Sequence, residues 1–221
     1  MIILRDTYKH QGLRKLLVET LRSDRSDRIP IMDKRILEVI GKVPRHFFLA
    51  PEFSEFAYRD QAFQIGCGQT ISQPYTVAFQ TQLLDVRPRE KILEIGTGSG
   101  YQAAILLELG AKVFTIERQR ELFDKADELL HKMNYDLKML FGDGYRGWPV
   151  YAPFHKIIIT CGAPEVPEAL YEQLRPGGIM VVPVGEGDTQ EMKRVIKLRN
   201  GERYEQNFGL FRFVPMLKDK V

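Results

Sequence analysis

The chain has little cysteine, and its two cysteines are placed for neither cross-linking nor metal. Cys67 and Cys161 are the only two in 221 residues. Their separation matches no redox or zinc spacing, which argues against a disulfide framework and a thiolate metal site. A reducing, cytoplasmic compartment is the expectation. His10, His46, His131 and His155 form no ligand pattern, so no metal is expected. No segment is apolar for long enough to span a membrane as a helix. The opening Met1 to Asp6 is too briefly apolar for a signal peptide. One-sided charge is also missing. The 32 basic and 29 acidic residues are interspersed, whereas a nucleic-acid surface would need a clustered basic face. The chain shows no internal repeat and no low-complexity segment.

What is present is a glycine pattern. Lys91-Ile92-Leu93-Glu94-Ile95 reads as a short buried strand. It runs directly into Gly96-Thr97-Gly98-Ser99-Gly100. Ala103, Ala104, Leu106, Leu107 and Leu109 then recur as a helix, and Gly110 closes it. A second apolar run, Val113 to Ile116, ends at Glu117. Strand, glycine turn, helix, strand and acid form the layout that holds an adenosine-containing cofactor at the carboxyl ends of parallel strands. Glycines permit positive φ and remove the Cβ atoms that would hold a ligand off the backbone. The helix start offers free N–H groups. Glu117 stands about 20 residues beyond the turn, where a carboxylate can accept from both ribose hydroxyls.

The glycine order separates cofactors. A dinucleotide fingerprint is G-x-G-x-x-G. Here Tyr101 stands where its third glycine would fall, and its bulk argues against a pyrophosphate. Glu94, on the strand before the turn, points to a cationic group nearby. S-adenosyl-L-methionine carries both an ammonium and a sulfonium.

Around this unit the chain divides into a helical first part and an alternating second part. Residues 6 to 22 fit an amphipathic helix with Asp6 as its N-cap. Ser23 to Arg28 fit a loop. Asp33 to Gly41 fit a second helix with Gly41 as its stop. Val43 to Pro51 is aromatic and proline-interrupted, and 52 to 72 lacks clear periodicity, with bends at Gly66 and Gly68. Helix is predicted again for 73–86. Strands are predicted at 91–95, 112–117, 137–141, 155–160 and 178–184, and helices at 99–109, 119–133 and 166–173. Pro176-Gly177-Gly178 reads as a turn feeding the fifth strand. Residues 191–199 and 204–214 read as a hairpin around Asn200-Gly201. The expected fold is α/β, a Rossmann-like doubly wound parallel sheet with a C-terminal antiparallel hairpin and an N-terminal helical extension. Residues 1–72 are assigned to that extension and 73–221 to the cofactor-binding domain, together one compact unit.

Three further constellations stand out. Gly142-Asp143-Gly144 follows the third strand, where an acid can reach an adenine amino group. Thr160-Cys161-Gly162 follows the fourth, and its small residues would let a ligand lie over the sheet edge. Cys161 reads as a small buried thiol rather than a nucleophile. Gln69-Thr70-Ile71-Ser72-Gln73-Pro74-Tyr75 precedes a helix. Ser72 is typed as its N-cap and Pro74 as its first-turn proline. The same hydroxyls, on Thr70 and Ser72, could meet an anionic substrate group, since helix starts bind carboxylates.

The run Ile65 to Tyr75, the turn Ile92 to Tyr101, Gly142-Asp143-Gly144 and Leu174-Arg175-Pro176-Gly177-Gly178 together resemble the bacterial protein-L-isoaspartate O-methyltransferases. Val43 to Phe47 and Arg212-Phe213-Val214-Pro215 resemble them too, so the likeness covers roughly residues 10 to 216. It implies a seven-stranded methyltransferase fold with S-adenosyl-L-methionine as donor. It implies methylation of the free carboxylate of L-isoaspartyl residues in damaged proteins, and more weakly of D-aspartyl residues. It places Ser72 at the catalytic position. It sets Gln69, Thr70, Ile71, Glu94, Gly96, Thr97, Gly98, Gly100, Glu117, Arg118, Asp143 and Gly144 around the donor, and Thr70, Ser72 and Val214 around the substrate. A monomer acting on proteins, without nucleic acid or membrane, is expected. Two positions depart from the family pattern: Cys67, where an aromatic is usual, and Thr160-Cys161-Gly162, usually richer in alanine. Both bear on the shape of the substrate cleft, not on the donor. Three alternatives share the glycine turn. A methyltransferase with another substrate is opposed by the Gly66 to Pro74 segment. A non-catalytic nucleoside-binding module is opposed by the intact acids and hydroxyls, and a dinucleotide dehydrogenase by the glycine spacing.

Overall fold

The computed structural model describes residues 5–23 and 28–221. Part of the predicted 23–28 loop therefore lies outside the described residues.

The alternating half folds as its periodicity requires. Strands β3 (Lys91–Ile95), β4 (Lys112–Glu117), β5 (Lys138–Phe141), β6 (Phe154–Ile159), β7 (Leu174–Val184), β8 (Gln190–Lys197) and β9 (Arg203–Phe211) form one seven-stranded sheet. Their order is β5-β4-β3-β6-β7-β8-β9. The pairs from β5 across to β7 are parallel, and β7-β8 and β8-β9 are antiparallel. The chain winds outward from β3 through β4 to β5, then returns to lay β6 on the other side of β3. The β3/β6 boundary is thus the topological switch point, the place where α/β sheets bind ligands.

The central strands are apolar on both faces because both faces are covered. Leu93 and Ile95 pack with Ile157, Ile159 and Met180 on one face. Ile92 packs with Ile158 and Val181 on the other, beneath the helices α3 (Pro74–Leu84) and α4 (Tyr101–Glu108). Helix α3 buries ten of its residues, Thr76, Gln80 and Thr81 among them, so it sits in the core. Helices α1 (Tyr8–Arg22) and α2 (Lys34–Lys42) continue the same core through Leu17, Leu21, Ile36 and Ile40. Helix α5 (Arg120–Lys132) follows β4, and α6 (Glu168–Glu172) precedes β7. No helix among the described residues is long and apolar enough to cross a membrane.

Several local expectations change. Helix α1 is capped by Thr7, whose hydroxyl accepts from the His10 N–H, while Asp6 instead pairs with the buried Arg14 at 2.9 Å. Asp33, expected as the first residue of α2, is instead its N-cap, and Gly41 lies inside that helix, which Val43 ends. Ser72 is not the cap of α3. Gln73 holds that position without a side-chain bond, and Asp60 caps the helix from a distance by accepting from the Tyr75 N–H at 2.8 Å. A cap contributed across the fold leaves no local sequence signal. Residues 63–71, without visible periodicity, form a hairpin of β1 (Phe63–Gly66) and β2 (Gln69–Ile71). Its tip, Gly66-Cys67-Gly68, has positive φ throughout. Pro176-Gly177-Gly178 does not start a strand but bulges within β7, which already pairs with β6 at Leu174.

Candidate active site

The switch point is where the predicted residues converge. Beyond β3 the chain turns at Gly96, Gly98 and Gly100, all at positive φ. A Cβ on Gly96 would fall 2.7 Å from the Thr160 hydroxyl. That hydroxyl donates to the carbonyls of Ile95 and Gly96 at 3.0 and 2.7 Å, fastening the turn to the end of β6. A Cβ on Gly98 would touch Ile65 at 3.4 Å, so the β1-β2 hairpin lies directly against the turn. Gly100 serves differently, as the N-cap of α4 that leaves room for Leu130.

The two acids divide. Glu117 ends β4 and is 4% exposed. One carboxylate oxygen accepts from the Gly98 N–H and the other from the Gln119 N–H, both at 2.8 Å. Each oxygen keeps a further lone pair. Glu94 is fully buried on the face opposite Ile95, because successive strand side chains alternate. It accepts from the Thr115 hydroxyl at 2.6 Å, and Thr115 is bonded in turn to Thr97 at 2.6 Å. Its second oxygen has no hydrogen-bond partner among the described residues. Burial, reinforced by the nearby charge of Glu117, pushes its carboxyl up to about 8. Glu94 thus lies beneath the turn, neutral over most of the physiological range.

Three spaces adjoin here, and Thr70 and Thr160 line all of them. The first holds Gln69, Thr70, Gly96, Gly98, Glu117, Arg118, Gly144 and Val214 from the predicted set. Ile95, Ile116, Cys161, Met216 and Leu217 give it apolar walls. The second lies against the glycine turn and holds Thr70, Ile71, Ser72, Gly96, Thr97 and Gly98, with Tyr101 behind. The third is an open groove of about 1090 Å³ that includes Thr70, Ser72 and Val214. Its far wall is the segment from Phe208 to Pro215.

Of the predicted residues, Glu94, Gly100 and Asp143 line none of these spaces. Asp143 accepts from the Tyr145 N–H at 2.9 Å and shapes the turn after β5. That turn presents Gly144, where a Cβ would strike Ile95 at 2.5 Å. Burial raises the Cys161 thiol to about 12, with Glu117 adding to the effect, so it stays protonated and is no nucleophile. Met216 and Leu217, beyond the predicted Val214, are what the motif reading missed. Gly162 donates to Val214 at 2.8 Å and accepts from Met216 at 2.7 Å, which brings Met216 and Leu217 onto the first space. Only the Phe-Val-Pro run hinted at them.

The fold matches solved structures. A Plasmodium falciparum chain crystallised with S-adenosyl-L-homocysteine superposes with a TM-score of 0.79 over 95% of this chain and 99% of its own, at 22% identity. A second structure, named protein-L-isoaspartate O-methyltransferase, gives 0.77 over 93% and 65%, at 24% identity. Fold and site together define a Rossmann-like α/β architecture of the seven-stranded methyltransferase class. The sequence narrows this further. The family model described as protein-L-isoaspartate(D-aspartate) O-methyltransferase matches residues 14–221. The protein-L-isoaspartate O-methyltransferase of Flavobacterium johnsoniae is 54% identical over 98% of this chain and 100% of its own, and that of Christiangramia forsetii is 53% identical over the same shares. The chain belongs to the protein-L-isoaspartate(D-aspartate) O-methyltransferase family.

Proposed function

We propose that this protein moves the methyl group of S-adenosyl-L-methionine to the free carboxylate of L-isoaspartyl residues in damaged proteins, and more weakly to D-aspartyl residues. The observation that carries this reading is the position of Ser72. It borders both the space against the glycine turn and the open groove. Among the described residues no protein group is hydrogen-bonded to its hydroxyl, while its carbonyl is held by Arg45 at 2.8 Å. A fixed backbone with an unengaged hydroxyl between two spaces suits the meeting point of donor and acceptor.

The residues present fit the donor. The spare lone pairs of Glu117 can accept ribose hydroxyls, and Ile116, Gly144 and Met216 offer a flat apolar slot beside it for a base. Thr97 lines the space against the turn, and its hydroxyl, bonded to Thr115, keeps a lone pair free to accept there. When bound, the donor supplies an electrophilic methyl on a sulfonium. The acceptor carboxylate, which ordinarily titrates near pH 4, is already ionised at neutral pH. No general base is needed, which agrees with a site that presents neither a histidine nor an ionised thiol. Ser72 then orients the carboxylate through a hydrogen bond, and Thr70 and the Val214 segment hold the flanking peptide. Such orientation is worth roughly 7–11 kcal/mol of barrier in favourable cases. An isoaspartyl residue carries its free carboxylate on a short arm from an extended backbone, which the groove can seat. We read the enzyme as a cytoplasmic monomer that needs no nucleic acid. Its two free cysteines and interspersed charge support that reading.

The test is a matched peptide pair. Methyl incorporation from labelled donor is expected with an isoaspartyl peptide and not with its normal aspartyl twin. Equal labelling of both, or of neither, would overturn the substrate assignment.

A further inference from the structure

Among the described residues Arg45 is the largest side chain buried completely, and no acid forms an ion pair with it. It opens the short 3-10 turn Arg45–Phe48, ahead of the hairpin. Its Nη2 donates to the Ser72 carbonyl at 2.8 Å and its Nε to the Ala57 carbonyl at 3.0 Å. Its Cζ lies 4.8 Å from the centre of the Tyr101 ring. Its Nη1 finds no hydrogen-bond partner among the described residues. Arg45 lines none of the three spaces of the site.

Removing a cation from water without an ion-pair partner is costly, and Asp60 offers Arg45 only a longer-range attraction. Carbonyl bonds and an aromatic face return part of that. A fold that needed only packing here would do as well with methionine. What the guanidinium does, and methionine could not, is tie two walls together. Ser72 belongs to the segment that faces the acceptor groove. Tyr101 is the first residue of α4, directly after the glycine turn. Both line the same space. The rigid guanidinium plane holds a carbonyl at its edge and a ring on its face, a geometry that the point charge of lysine cannot reproduce.

We propose that Arg45 is a positioning residue for methyl transfer, setting the distance and angle between the Ser72 hydroxyl and the donor turn. This rests on the reading of Ser72 as the group that orients the acceptor. Arg45 touches no ligand, so its loss is felt in alignment and not in donor binding.

The experiment compares Arg45→Met, Arg45→Lys, Ser72→Ala and Ser72→Ala/Arg45→Met in the full chain. Turnover on an isoaspartyl peptide is read beside the donor Kd from calorimetry. Arg45→Met is expected to lower kcat about tenfold or more while the donor Kd stays within about twofold, the mark of an interaction made only in the transition state. Arg45→Lys is expected to fall between the wild type and Arg45→Met. The double variant is expected to be no slower than Ser72→Ala alone, because two groups acting through one alignment are not additive. Unchanged kcat in a folded Arg45→Met protein would overturn the proposal. So would a donor Kd that rises in step with the loss of kcat, or full additivity in the double variant. If Arg45→Met does not fold, Arg45→Lys and Ser72→Ala/Arg45→Lys carry the same readouts, and the same results support or overturn the proposal. If Ser72→Ala leaves kcat unchanged, the reading of Ser72 fails and this proposal with it. If Ser72→Ala is slow and Arg45→Met is not, the proposal alone fails.

Discussion

Glu117 holds two backbone N–H groups before any ligand arrives, and this sets the cost of losing it. Glu117→Ala strands the N–H of Gly98 inside the glycine turn as well as removing the carboxylate proposed to accept the ribose hydroxyls. Hydrogen bonds to charged groups contribute about 1.5–3 kcal/mol each. The donor Kd measured by calorimetry should therefore rise more than tenfold. An unchanged Kd would remove the ribose assignment. Glu94 shows the limit of reading an acid from its position in a motif. The sequence placed it beside the turn, but only the pleat decided that it faces inward, and only burial decided that it is largely neutral.

Among the elements, α1 is attached through a histidine whose charge state changes with pH. His46 is 7% exposed and stacks on His10 of α1 with ring centres 3.7 Å apart. Its Nδ1 accepts from the Tyr58 hydroxyl, whose oxygen accepts from Arg14, and its Nε2 donates to the Arg5 carbonyl. Asp6 is the acid on this cluster, and it is bonded to Arg14. Burial pushes the His46 imidazole down to about 4 from 6.5. Above pH 6.5 the folded and unfolded chains both carry it neutral, and no stability is lost. Between 6.5 and 4 the unfolded chain takes up the proton first, so stability falls as pH falls. The melting temperature should drop more between pH 7 and pH 5 in the wild type than in His46→Phe. Parallel drops would show that other groups carry the acid sensitivity. None of this was visible as spacing, because His10 and His46 are brought together only when α1 packs beside the 3-10 turn.

For the molecule as a whole, the tail closes the site. The seven strands are complete at Phe211, yet Val214, Met216 and Leu217 come back over the carboxyl ends of the strands. Deleting residues 212–221 should leave far-ultraviolet circular dichroism close to that of the full chain while raising the donor Kd at least about tenfold, through loss of apolar wall area. Tight donor binding by the shortened chain would show that the tail serves the peptide alone. The alternating half was legible from residue 91 onward, because buried parallel strands and their helices write two distinct periods into the chain. The hairpin of residues 63–71 was not, because it has few residues per strand and lies on the sheet domain rather than within it.

The sequence by itself determined the strand and helix order from residue 91 onward, the glycine turn, the acid after the second parallel strand and the hydroxyl segment before α3. These depend on local periodicity and on residues with special backbone freedom. Tertiary structure alone decided that Asp60 caps α3, that Arg45 reaches Ser72 and that Met216 and Leu217 line the space beside Glu117. Each of these joins groups far apart in the chain, and such contacts exist only once the core has fixed where their backbones lie.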